Sequence, residues 1–483
     1  MYRFLKGAIL VIGLFSSSIF AQEFQKFLPP QEFQARRDKV FDKIGDKGVA
    51  VLQGAPELGG YLYYRQTDAF YYLSGVENPH SYLLLDGRNH RTTLYLRSSR
   101  GSAWDRVLTT ATPADIGKVK ELTGIDEVRV SSDFNTIDAN IIYVLYSPDE
   151  GNAQTRGDLR TMGRGITSDR WDGRISRQDN FITIIEQRFP KAELRNLTPI
   201  IDELRSIKSP LEIELMRRAG QIAALGAAEA MRSTEPGVYE YQLEAPVKFI
   251  YQQNGAELEG YRSIIPSGTK NISDSHYFFK SCQLKSGDLV LYDYAPEYGY
   301  YTSDIGRMWP VNGKYEPWQR QLLQLILDYH KEIIKRIKPG LTTRQIMADA
   351  NEAMQPKIDA TKFLKPEYER AVRTLVRQGG GVFSHTVGMA VHDVDVPRYA
   401  SAPLKVGQVF AIDPQLRVPE ESLYMRYEDT VVVTEDGCEI LTRLAPWELK
   451  DIEKLVKEMG ILQKYPAPFK SLLDAPAQNP AKK

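Results

Sequence analysis

Four carboxylates and one imidazole in the second half of the chain recur at spacings no structural role readily explains: Asp293, Asp304, His385, Asp413 and Glu428. An oxygen-rich group of this kind suits a pair of hard or borderline divalent cations. Such a pair activates water for hydrolysis. Two of the carboxylates close matching runs, Gly287-Asp288-Leu289-Val290-Leu291-Tyr292-Asp293 and Gly407-Gln408-Val409-Phe410-Ala411-Ile412-Asp413. Each is a glycine turn, an apolar strand and a carboxylate where the strand ends. Asp293 and Asp304 flank a hairpin-like turn from Tyr294 to Tyr301, which lets both point into one space. Taken alone, that pair is better explained as turn caps.

The histidines change the balance. The chain holds six, and His276, His385 and His392 all fall near these carboxylates. The run Ser384-His385-Thr386-Val387-Gly388-Met389-Ala390-Val391-His392-Asp393 follows Gly379-Gly380-Gly381, and a glycine-rich approach lets backbone pack close to a ligand or metal. Glu428 lies in Met425–Val433, where Arg426 and Glu428 share a strand face by period two. A surface ladder is the alternative, but the valines that follow read as buried and favour a charge pair beside a polar site.

These groups need elements to hold them. Glu235-Pro236-Gly237 and Lys338-Pro339-Gly340 each join one helical pattern to the next. With the glycine-strand-aspartate echo they describe two related α+β halves facing each other, a duplication within one domain rather than a solenoid. Upstream, Gln31–Ile44 reads as a helix, Val49–Leu52 as a buried strand, and Tyr61–Leu73 as an aromatic strand. Ser81–Leu85 and Thr92–Leu96 flank Asp86-Gly87 as a hairpin. Helices follow at Pro113–Thr123 and Asp179–Phe189, with Asp149–Arg174 as a long loop. Asn196–Pro210 separates this mixed α/β region from a strong helix at Leu211–Arg232.

At 483 residues two domains are expected. Lys+Arg and Asp+Glu both number 62, which excludes the basic footprint of a nucleic-acid binder. Arg3 and Lys6 precede an apolar run from Ala8 to Phe15, then Ser16–Ser18 and Ala21. This is the order of a secretory signal peptide cut after Ala21. An uncleaved anchor is the alternative, but the run is well short of the roughly 20 residues that span a bilayer. The expected protein is exported, periplasmic or secreted, with no stable membrane insertion. Its two cysteines, Cys282 and Cys438, suit a disulfide or two free thiols equally.

On these residues the second half resembles the pita-bread metallopeptidases, the group of methionine aminopeptidase, prolidase and Xaa-Pro aminopeptidase. The first half resembles the N-terminal domain of the Xaa-Pro aminopeptidase (aminopeptidase P) branch through Tyr64-Arg65-Gln66-Thr67-Asp68-Ala69-Phe70-Tyr71-Tyr72-Leu73-Ser74-Gly75. The resemblance runs from about Phe33 to Thr442. It implies an aminopeptidase P-like mixed α/β domain at 22–198 and a pseudo-symmetric pita-bread α+β catalytic domain at 199–460, between the signal peptide expected at 1–21 and a proline-bearing tail expected to be disordered at 461–483. It also implies two divalent ions, manganese with zinc or cobalt as alternatives. Asp293 is then a bidentate ligand of one, His385 and Asp413 serve the other, and Asp304 and Glu428 bridge. His276 stabilises the tetrahedral intermediate, His392 contacts substrate, Arg426 supports the bridging ligands, and Glu428 relays a proton to the leaving nitrogen. The implied partners are peptides with proline second, and the implied assembly is a homo-oligomer.

Two positions depart from the family pattern. Asp413-Pro414-Gln415 stands where relatives carry Glu-Pro-Gly, and Gly381 stands where they have a substrate-holding histidine. A catalytically impaired peptide-binding module is therefore an alternative, and a dipeptide-restricted prolidase is another.

Overall fold

The computed structural model describes residues 27–58, 62–97, 116–148, 150–378, 383–394 and 401–466. The expected signal peptide, Gly381 and residues 467–483 lie outside them. Helix α1 (Pro30–Ile44) opens with Pro30 in its first turn and buries Phe33, Val40, Phe41 and Ile44 along one face. Strand β1 (Gly48–Gln53) follows, then α2 (Asp68–Ser74). The aromatic run expected as a strand is thus helical from Asp68. Asp68 sits in the first turn, Gly75 caps the other end at φ 65, and every residue of α2 is buried. Tertiary packing outweighs the β preference of Phe70, Tyr71 and Tyr72.

The hairpin forms as β2 (Tyr82–Asp86) and β3 (Arg91–Leu96), with Leu84 opposite Thr93. After α3 (Ile116–Thr123), β4 (Glu127–Val130) and β5 (Ile141–Val144) come α4 (Arg156–Ser168) and α5 (Arg177–Arg188). Helix α4 corrects the expected loop at Asp149–Arg174. Thr155 starts it by accepting from the Asp158 amide, a polar cap the composition obscured. Strand β6 (Glu193–Asn196) completes a six-stranded sheet ordered β4-β3-β2-β1-β5-β6. Helix α6 (Thr198–Ser206) runs across the expected 198/199 boundary, and Ile201 joins an apolar cluster to which both halves of the chain contribute.

The second half begins with α7 (Pro210–Arg232), whose Ser209 and Glu212 form a reciprocal cap. It continues through α8 (Glu240–Gln253), β7 (Leu258–Glu259), α9 (Gly268–Ile272), β8 (Leu289–Asp293), β9 (Pro296–Glu297) and β10 (Ile305–Pro310). Next come α10 (Pro317–Ile334), α11 (Thr343–Ala360), α12 (Pro366–Gln378), β11 (Val409–Ile412) and β12 (Gln415–Val418). Last are β13 (Leu423–Arg426), β14 (Glu428–Val433), β15 (Cys438–Ile440), α13 (Leu449–Leu455) and α14 (Ile461–Lys464). Helix α14 falls inside the expected tail and is docked, the Ile461 amide donating to Glu229 at 2.6 Å.

The echo read from sequence has a backbone counterpart. Gly287 and Gly407 adopt φ 91 and φ 88, and Gly237 and Gly340 adopt φ 96 and φ 87, conformations that favour glycine. Strands β8 and β11 therefore enter one antiparallel sheet, ordered β11-β14-β10-β8 with β15 on β14, through matching turns. A large apolar core fills the second half, and a second cluster runs from Phe33, Tyr71 and Leu85 into Tyr300, Val387, Met389 and Val432. The two domains share that cluster. Cys282 is exposed, Cys438 is half-buried, and both are free thiols. Among the described residues no helix is long and apolar enough to cross a membrane.

Candidate metal centre

Strand ends of the second sheet deliver the carboxylates. Asp293 is the last residue of β8, Asp304 immediately precedes β10, Asp413 follows β11, and Glu428 opens β14. Gly306 pairs with Asp293 on one side and Glu428 on the other. A Cβ at Gly306 would meet Glu428 Cβ at 2.9 Å and Arg426 Nε at 3.3 Å, so the convergence needs a bare backbone there.

Asp304, His385 and Glu428 offer ligand atoms that all lie within 4.8 Å of one another. His385 Nε2 stands 3.3 Å from Asp304 Oδ2 and 4.0 Å from Glu428 Oε1. Its Nδ1 is 3.2 Å from the Thr386 carbonyl, which fixes the ring. Tyr261 donates to Asp304 Oδ1 at 2.7 Å. The Thr430 hydroxyl accepts from the Asp304 amide at 2.7 Å and lies 2.8 Å from the Asp304 carbonyl.

Asp293 and Asp413 reach this group through Arg426. Its Nε and Nη2 donate to Asp413 at 2.9 and 2.7 Å, Nη1 donates to Asp293 Oδ2 at 2.5 Å, and Nη2 also contacts Glu428. The single strand expected across Met425–Val433 is broken at Tyr427 into β13 and β14, so Arg426 and Glu428 meet across a bend. Gln415, next to the non-family Asp413-Pro414 step, donates to Asp413 Oδ2.

The electrostatics follow from crowding. Burial pushes Asp293 up to about 7, with Arg426 opposing and the Asp304 and Asp413 charges adding to the rise. Burial likewise raises Glu428 against the pull of Arg426, helped by the neighbouring carboxylates. Asp304 goes the other way: burial disfavours its charge, but hydrogen bonding and attraction from His385, with Arg426 beyond, hold it down to about 2. His385 is correspondingly raised despite its own burial. Two buried oxygens, Asp293 Oδ1 and Glu428 Oε1, have no hydrogen-bond partner. Buried carboxylate oxygens without a partner are costly, and a divalent cation would satisfy them. The donor set therefore fits the expected ions.

His392 and His276 sit outside this group. The His392 ring centroid is 4.1 Å from that of His385. One side of His392 is open to solvent, yet surrounding protein and then the His385 charge pull it down to about 4. His276 is exposed on the segment after α9, with Nδ1 3.3 Å from Ser275 Oγ, and its charge reaches His392. The sequence reading missed Tyr261, Thr430 and Gly306. Period two from Glu428 could have flagged Thr430, whereas nothing local marks Tyr261.

Residues 214–435 match the description "Metallopeptidase family M24", and residues 33–144 match "Aminopeptidase P, N-terminal domain". Xaa-Pro aminopeptidase of Haemophilus influenzae is 29% identical over 454 residues, covering 89% of this chain and 98% of the relative. Its Escherichia coli counterpart is 28% identical over 460 residues, covering 88% and 97%. Proline aminopeptidase P II from Yersinia pestis superposes with a TM-score of 0.72 at 26% identity, over 89% of this chain and 99% of that one. Aminopeptidase P from E. coli with the inhibitor Pro-Leu gives 0.72 at 26%, over 89% and 98%.

Proposed function

The chain is an M24 metallopeptidase with an aminopeptidase P N-terminal domain, and from that premise we propose that it removes the first residue of peptides whose second residue is proline. The observation that carries this reading is the cluster of Asp304, His385 and Glu428, with unpaired buried oxygens on Glu428 and on the adjoining Asp293. Asp293, Asp304, His385, Asp413 and Glu428 would hold two divalent ions, manganese first among the candidates. When bound, the ions supply Lewis-acid charge and an acidified water.

The chain's own groups do the rest. Glu428, at the start of β14, would be the carboxylate that carries a proton toward the leaving nitrogen. Arg426 keeps Asp293, Asp413 and Glu428 oriented as one unit. His392, held neutral beside His385, and His276 at the open rim are placed to donate or accept a hydrogen bond from the peptide. Proline after the scissile bond removes an N–H from extended-strand recognition, which explains the use of a dedicated site.

The test is release of Xaa from an Xaa-Pro-Xaa tripeptide by purified protein, with and without added manganese, alongside elemental analysis. Cleavage limited to dipeptides would make it a prolidase. A second reading, a peptide-binding module holding one ion, draws on Asp413, whose oxygens are already engaged by Arg426 and Gln415. One tightly held ion per chain and no turnover would select it. We further propose export with cleavage after Ala21, read out by the mass of the mature N-terminus, and a homo-oligomer, read out by light scattering.

A further inference from the structure

His385 and His392 ride on one short loop, and the residue after them is a buried acid. Asp393 turns its side chain inward, 1% exposed, where Arg205 Nη2 lies 2.5 Å from Oδ1 and Lys208 Nζ lies 3.1 Å from Oδ2. The loop closes around this carboxylate. The Asp393 amide donates to the Thr386 carbonyl at 3.0 Å, and the Thr386 hydroxyl donates to the Val394 carbonyl at 3.0 Å. A Cβ at Gly388 would stand 2.0 Å from Asp393 Oδ2 and 3.2 Å from Lys208 Cε, so the loop tolerates no side chain there.

The two cations belong to the segment between the domains, and they grip more than the loop. Arg205 Nη2 also reaches Asp68 at 3.3 Å, and Nη1 lies 3.7 Å from Glu150. Arg65 joins Asp68 to Glu297 of β9, with both contacts at 2.7 Å. Arg156, the first residue of α4, holds Glu150 at 2.5 Å and Asp202 at 2.8 Å. The Lys208 amide donates to the Gly407 carbonyl at 2.9 Å, at the turn that launches β11 toward Asp413. One buried ionic chain thus ties α2 and α4 of the first domain, and α6 at the junction, to the loop carrying the site histidines.

We propose that Asp393 is a positioning residue of the metal centre: gripped by Arg205 and Lys208, it sets where His385 and His392 stand. A buried ion pair is weak evidence for net stability, because desolvation offsets the attraction, and its best-attested use is to fix register. Here the register concerns two imidazoles whose placement an ångström-scale error would spoil. The kinetic arm of the test rests on the Xaa-Pro reading, whereas the metal-binding arm does not.

The experiment compares wild type with Asp393→Asn, Lys208→Met and Lys208→Arg. Asp393→Asn keeps the shape of the side chain and leaves Arg205 its Asp68 and Glu150 contacts. Lys208→Met leaves Arg205 untouched. Calorimetric titration with Mn²⁺, thermal unfolding, and kcat and KM on a tripeptide are measured for each. The expected result is that Asp393→Asn and Lys208→Met bind Mn²⁺ at least about tenfold more weakly and lose about ten- to hundredfold in kcat, with Lys208→Arg recovering most of both. That recovery distinguishes positioning from mere loss of packing. Mn²⁺ affinity within twofold of wild type in both Asp393→Asn and Lys208→Met overturns the proposal, whatever their thermal midpoints. Wild type without peptidase activity, with weakened Mn²⁺ binding in the two variants, overturns the Xaa-Pro reading and leaves this inference standing.

Discussion

Gly306 faces Glu428 across the β10–β14 ladder so closely that a Cβ on the glycine would sit 2.9 Å from Glu428 Cβ and 3.1 Å from its Oε2. The catalytic sheet can gather its carboxylates only because this rung carries no side chain. Gly306→Ala should cost about 1–3 kcal/mol through overpacking and displace Glu428 enough to lower kcat by up to about a hundredfold. Thermal unfolding and tripeptide kinetics check this; an alanine variant with wild-type kinetics would mean that the sheet yields freely.

Arg426 pairs its guanidinium with the side-chain carboxylates of Asp293, Asp413 and Glu428. Arg426→Met leaves three buried carboxylates without their cation, a loss of about 3–5 kcal/mol in the metal-free protein. Because divalent ions would neutralise the same charges, adding Mn²⁺ should restore a larger share of stability in the variant than in wild type. Denaturant unfolding with and without Mn²⁺ measures both.

The pH dependence has a definite sign. Asp293 is raised to about 7 from an ordinary carboxylate value, so the metal-free folded state binds a proton that the unfolded state releases. Its contribution is fully present in the acid range and is lost as pH rises toward 7. His385, also raised, contributes below its ordinary value and loses that contribution as pH climbs through its folded value. Asp304, held to about 2, contributes fully above the ordinary carboxylate range and loses that contribution as pH falls toward 2. Metal ions compete with the protons on Asp293 and His385, so Mn²⁺ affinity should fall about tenfold per pH unit for each proton displaced below pH 7. Calorimetry between pH 5.5 and 7.5 in buffers of different ionisation enthalpy counts the protons, and a pH-independent affinity would contradict the electrostatics.

His392 sits beside His385 but outside the three residues whose ligand atoms converge. His392→Ala should therefore keep its metal content while losing about ten- to hundredfold in kcat/KM, at or below the usual range for a lost proton-transfer group. Elemental analysis and kinetics on one preparation separate that outcome from a ligand role, which would empty the site.

Much of this centre was legible because strand ends are periodic objects. Gly287 and Gly407, a glycine turn six residues before each aspartate, announced β8 and β11, and both take the same left-handed conformation. What stayed hidden depended on distance along the chain. Arg205 meets Asp393 across 188 positions and Tyr261 meets Asp304 across 43, and neither partner carries a local signal. Helix α2 was hidden differently: Phe70, Tyr71 and Tyr72 favour strands, and packing against α1 on one side and Tyr300 of the second half on another makes a short helix the better way to bury them. The three-way reach of Arg426 also exceeds what period two can express, since it spans β8, the end of β11 and β14.

The shared apolar seam bears on how the molecule can be divided. Tyr71 of the first domain lies flat on Tyr300 of the second at 3.4 Å between ring centres, and Val387 and Met389, flanking the turn at Gly388, pack into the same cluster. The floor beneath the site histidines is thus upholstered by the neighbouring domain. A catalytic half cut free at the junction would present that floor to water, and the aminoterminal unit is best regarded as the missing wall of the chamber it adjoins.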